Sequence, residues 1–69
     1  MTRTEAKKLY KECTAESNEI VTTNVTRTIK SVKIIYSSNH DITFLFYKGD
    51  ISKIEEFNGR ELIEKYVER

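Results

Sequence analysis

The sequence predicts an α+β fold: a small single domain spanning residues 1-69, in α-β-β-β-α order, with a three-stranded antiparallel meander covered by two helices. Three observations carry this expectation. Thr2 is followed by Glu5, and Asn58 by Glu61, each at the spacing of a capping box, in which cap and acid side chains satisfy amides that the first helical turn leaves free. Between these signals runs a stretch rich in Val, Ile, Thr, Phe and Tyr, residues that suit a pleated surface. No proline interrupts it.

The first helix follows from periodicity. Ala6, Leu9, Tyr10 and Cys13 fall at i, i+3, i+4 and i+7, which gathers them on one stripe over residues 3–16. Lys7, Lys8, Lys11 and Glu12 take the other side, and Ser17-Asn18 reads as the end. Residues 20–36 give two conflicting signals. Val21, Val25, Ile29 and Val32 step at a helical period, yet Thr22, Thr23, Thr26 and Thr28 make a poor helix. Composition favours strand. Val21, Val25 and Ile29 share one parity, while Val32, Ile34 and Tyr36 share the other. Either a bulge near Lys30-Ser31 switches faces, or a turn near Asn24 divides the segment into two strands.

Ser37 to Asp41 reads as a polar loop. Ile42 to Tyr47 is apolar on both faces, the pattern of a central strand. Lys48-Gly49-Asp50 supplies a tight turn, because glycine accepts positive φ. Ile51 to Glu56 is more polar and reads as an edge strand. Asn58 then caps a second helix with Leu62, Ile63, Tyr66 and Val67 as its buried stripe, and Phe57 and Leu62 stand at the spacing of a hydrophobic staple.

Composition narrows the function classes. A chain of 69 residues with 38% hydrophobic and 33% charged residues suits one folded domain rather than disorder. The longest apolar run, Phe44 to Tyr47, is far too short to span a membrane, and no signal-peptide pattern opens the chain. One cysteine forms no internal disulfide, which points to a reducing, cytoplasmic setting. One Cys and one His build no structural zinc site, so no metal or cofactor is expected. Asn24-Val25-Thr26 matches a glycosylation sequon, a pattern that threonine-rich sequence meets by chance. Net charge is +1, but residues 1–35 hold seven Lys or Arg against four Glu, and residues 36–69 hold five against seven acids. Such a dipolar domain can orient a charged partner.

No catalytic constellation stands out. His40 reads as a loop histidine and Cys13 as a core residue. Glu55 and Glu56 are adjacent, so on a strand they point to opposite faces and make a poor dyad. No phosphate loop, dinucleotide fingerprint, nucleophile elbow or zincin helix occurs. The sequence therefore leads to a non-catalytic binding or regulatory protein with a protein partner. Ile35 and Tyr47 are the candidate contacts of the sheet. The alternative is a nucleic-acid-binding module, with phosphate contacts from Arg27, Lys30 and Lys33 on the first long strand and base stacking by Tyr36 and Tyr47.

The α-β-β-β-α order and the length resemble, in topology, the double-stranded RNA-binding domain. That resemblance implies duplex recognition by helix one, the first interstrand loop and a lysine cluster opening helix two. His40 lies in the corresponding loop, without the expected Gly-Pro. Asn58-Gly59-Arg60-Glu61-Leu62 offers one arginine and no lysine cluster, in an acidic neighbourhood that opposes phosphate. The likeness is one of element order and is no claim of membership.

Overall fold

The computed structural model describes residues 1–16, 19–23 and 26–68. Among the described residues there is one helix, α1 (Arg3–Ala15), followed by five strands: β1 (Glu19–Thr23), β2 (Ile29–Ser37), β3 (His40–Tyr47), β4 (Asp50–Asn58) and β5 (Glu61–Tyr66). The strands form one antiparallel sheet in chain order, β1-β2-β3-β4-β5. The fold is therefore a mostly-β meander with a single helix, and the expected two-helix α+β arrangement is wrong. With it goes the topological likeness to the duplex-RNA domain, whose second helix has no counterpart here.

The helix begins as its sequence dictates. Thr2 Oγ1 accepts from the Glu5 amide at 3.1 Å, and Glu5 Oε1 accepts from the Thr2 amide at 3.1 Å. The Thr2 amide hydrogen bond, and then that of its hydroxyl, hold the Glu5 carboxyl below its ordinary range. A lowered folded pKa means that this contribution is present above the ordinary value of 4.5 and fades as pH falls through the folded one. Thr2→Ala should cost about 1 kcal/mol in a urea melt, while Thr2→Ser should cost little. Equal stability of the alanine variant would show that the cap is not formed in solution.

The helix lies on one face of the sheet. Ala6 and Cys13 are buried, and Leu9 and Tyr10 pack against the same core. From below it meets Ile34, Ile42, Phe44, Ile51 and Ile54. Phe44 and Ile34 are wholly excluded from solvent, at 0% exposure. Tyr10 sets its ring edge-on to both Phe44 and Phe46, with centroids 5.1 and 5.3 Å apart. β3 is the central strand, as expected, with Val32 and Ile54 flanking Phe44 across the ladders.

Of the two readings of residues 20–36, the division into two strands, β1 and β2, is the one the structure bears out, and the single bulged strand is not. Other expectations need correction. No irregularity falls at Lys30-Ser31; the register shifts come between Ile35 and Ser37 and between Leu45 and Phe46. The expected turn at Asn24, the helix end at Ser17-Asn18 and the start of the sequon lie outside the described residues. Residues 51–56 are no edge, because β4 pairs on both sides. His40 belongs to β3, leaving only Ser38-Asn39 as the turn.

The largest correction concerns the last helix. Asn58 and Glu61 close a hairpin around Gly59-Arg60, with Gly59 at φ 68°. Glycine first in a two-residue turn fits the twist of antiparallel strands. The Gly59 amide is fixed by the Asn39 carbonyl of the neighbouring turn at 2.7 Å. Phe57 and Leu62, spaced like a staple, are instead direct cross-strand partners. The supposed stripe is split between two faces. Ile63 and Val67 lie on the helix side, and Leu62 and Tyr66 on the other. Leu62, Ile63 and Tyr66, expected to be buried, are all exposed.

Candidate interaction surface

A strand presents alternate residues to opposite faces. The register therefore determines what the uncovered side of the sheet carries. One row across it is Glu19, Ile35, Asp41, Phe57 and Leu62; the next is Val21, Lys33, Thr43, Glu55 and Glu64. A third is Thr23, Ser31, Leu45, Lys53 and Tyr66, with Ile29 and Tyr47 paired beyond it. Among the described residues no element covers this side. Tyr66 is 65% exposed, Leu62 58%, Ile29 50%, Tyr47 43% and Phe57 37%. Val21, Ile35 and Leu45 are half-buried between them. Isolated exposed apolar residues are ordinary, but these gather in two groups on one uncovered face, Phe57 with Leu62 and Ile29 with Leu45, Tyr47 and Tyr66, and such groups mark contact surfaces.

The charges on this face are patterned too. Lys53 Nζ sits 3.2 Å from Glu55 and 3.3 Å from Glu64 and lies 5.2 Å from the centre of the Tyr66 ring. Hydrogen bonds to Glu55 and then Glu64 raise the Lys53 ammonium to about 12. That network neutralises Lys53 and leaves Lys33 against Glu19, Asp41 and the remaining acidic charge. The face carries its apolar side chains toward its two ends, with the row of Lys33, Thr43, Glu55 and Glu64 between them, and is acidic in balance. At the end where β3 and β4 slip register, an open groove of about 600 Å³ runs between Tyr47 and Tyr66 beside Lys48 and Arg3.

The basic residues singled out in the sequence do not form one track. Arg27 is exposed in the bend before β2. Lys30 turns to the helix side, its Nζ 4.6 Å from the centre of the Phe46 ring. Lys33 stands on the uncovered side. Ile35 and Tyr47 do share that side, and Phe57, Leu62 and Tyr66 join them. Sequence reasoning missed these three because it placed Phe57 in a staple and the others in a helix core. Tyr36, the second proposed stacking residue, is on the opposite face and packs against the core.

The helix side holds one polar cluster. His40 Nε2 is 2.8 Å from Glu56 Oε2, and the His40 ring stacks on Tyr36 with centroids 4.9 Å apart. The Tyr36 hydroxyl in turn lies beside the Cys13 thiol of the helix, close enough for the two to influence each other's protonation. Burial pushes the Cys13 thiol up, against the smaller pull of the Tyr36 hydroxyl. Burial, and then the Cys13 contact, raise the Tyr36 phenol as well. A thiol kept protonated is a poor nucleophile. The chain of contacts instead ties α1 to β2, β3 and β4. Glu55 and Glu56 do point to opposite faces, one toward Lys53 and the other toward His40. Among the described residues no group of three or more His, Cys, Asp or Glu is placed to hold a metal ion, and no helix is long and apolar enough to cross a membrane.

Comparison of the chain with protein-family models, with curated proteins and with solved structures finds no match.

Proposed function

We propose that this is a small non-catalytic, cytoplasmic binding protein that modulates a protein partner by docking the uncovered face of its sheet. The supporting observation is the display of two apolar groups on the uncovered face, Phe57 and Leu62 toward one end and Ile29, Tyr47 and Tyr66 with half-buried Leu45 toward the other. Aromatic residues at the centre of a patch supply most of the affinity in protein interfaces. The acidic balance of the face suits a partner whose basic groups lie between its apolar contacts, and it repels phosphate. Divergence of Arg27, Lys30 and Lys33 removes the continuous cationic groove that single-stranded nucleic acid requires.

A photoreactive side chain at position 47 should yield a discrete, nuclease-resistant protein adduct in the source cell. The same group at position 8, on the outer side of the helix, should yield none. Tyr47→Ala should weaken the captured interaction by about 2 kcal/mol, as expected of an aromatic anchor. Adducts that disappear with nuclease, or submicromolar nucleic-acid binding that is lost when Arg27, Lys30 and Lys33 are changed to Ala, would replace this reading with the nucleic-acid one.

A further inference from the structure

We propose that the free edge of β5 pairs with β5 of a second copy of this chain, antiparallel and centred on Ile63, so that the two sheets become one. The direction of the backbone groups comes first. Asn58 and Glu61 flank a two-residue turn, so Glu61 bonds to β4, and the alternation makes Ile63 and Lys65 do the same. Contacts at the end of the strand agree. The Val67 amide donates to Ser52 of β4 at 3.0 Å, while the Glu68 amide turns the other way, to the Met1 carbonyl at 2.8 Å. The N–H and C=O of Leu62 and Glu64 therefore point outward from the edge.

Such an edge invites another strand unless it is blunted. The distal end is already occupied, because Met1 lies against Tyr66 and Glu68. The hairpin turn closes the other end at Gly59-Arg60. The free stretch is Glu61–Lys65, and its midpoint is Ile63. Antiparallel self-pairing about that midpoint sets Leu62 opposite Glu64 of the other copy, which matches the outward groups of both. It also sets Glu61 opposite Lys65 twice over, on the helix side of the sheet, with the two Ile63 side chains meeting between them. Ile63 is 40% exposed without this partner. Charge, register and free hydrogen-bonding groups all select the same pairing. The other edge, β1, carries Glu19 as its single charge and nothing to fix a register.

Antiparallel edge pairing places equivalent faces on the same side. Both uncovered faces would then lie side by side, with both helices behind them, giving a bivalent surface. The pairing uses the edge and not the face, so it stands whether or not the face binds a protein.

The test is sedimentation of the purified full chain up to about 1 mM, a range that populates small, weak interfaces. The expected species is a dimer of twice 8.1 kDa. Glu61→Lys should weaken dimerisation roughly tenfold, because each dimer contains the altered pair twice. Adding Lys65→Glu to that variant should restore the affinity. Circular dichroism should show both variants folded, since both positions are exposed. A monomer throughout the range overturns the proposal. So does a dimer that Glu61→Lys leaves unchanged, or one that the double reversal fails to rescue.

Discussion

Phe44→Ala should remove a large share of the stability of this domain. Phe44 has no solvent exposure, sits on the central strand and is flanked by Val32 and Ile54 across the two ladders. Tyr10 of the helix rests its edge on the ring. Truncation would leave a cavity where helix and sheet both contribute, at a cost of about 3–5 kcal/mol. A domain of this length has only about 3–10 kcal/mol of net stability. The urea midpoint should fall steeply with little change in slope, as for a loss of stability without a change in the denatured state. Leu62→Ala removes a side chain of similar chemistry from the uncovered face, where it is 58% exposed, and should change stability by no more than about 0.5 kcal/mol. Similar losses for the two variants would mean that the helix does not cover the face assigned to it.

The contrast between these positions also marks what the sequence makes legible. The helix is readable because two independent signals agree: a capping box at Thr2 and Glu5, and an apolar stripe at Ala6, Leu9, Tyr10 and Cys13. The turn at Lys48-Gly49 is readable because glycine accepts positive φ, and Gly49 sits at 85°, while the positive φ of Lys48, 52°, carries no signal in the sequence. The C-terminal segment is misread because Asn58-Gly59-Arg60-Glu61 satisfies two grammars at once. An Asn with Glu three positions later looks like a helix start, while the intervening glycine serves equally well in a hairpin turn. Leu62-Ile63 followed by Tyr66-Val67 fits a helical stripe, and it equally fits a strand whose two faces are both partly apolar. Tertiary pairing with β4 decides the matter. The misreading propagates to the candidate surface. Ile35 and Tyr47 are legible as residues of the sheet because they lie on strands read as strands, whereas Phe57 is assigned to a staple and Leu62 and Tyr66 to a helix stripe, neither of which forms. Parity alone would have separated Lys30 from Arg27 and Lys33, since residues three apart on a strand face opposite ways.

Proline scanning of β5 should give opposite results at adjacent positions. Ile63 directs its N–H into the β4 ladder, so Ile63→Pro removes that hydrogen bond and leaves a carbonyl of β4 unpaired. The expected loss is about 1–3 kcal/mol from the unmet acceptor, with a further loss from Ile63 packing on the helix side. Leu62 directs its N–H away from β4, toward the free edge, where proline is tolerated. In dilute solution Leu62→Pro should therefore melt close to the parent chain, while Ile63→Pro melts well below it. Amide exchange gives the same division without mutation: the Ile63 N–H should be protected and the Leu62 N–H should exchange quickly under conditions that keep the protein monomeric. A helix over these residues would respond differently, because proline at either position would break the helical ladder at about 3 kcal/mol or more. Equal and large losses at positions 62 and 63 would restore the helix and remove both the hairpin and the edge. As the concentration rises, the Leu62 amide should gain protection in the parent chain and not in Glu61→Lys. That result would link the parity of β5 to the pairing of two copies through the same hydrogen-bonding group.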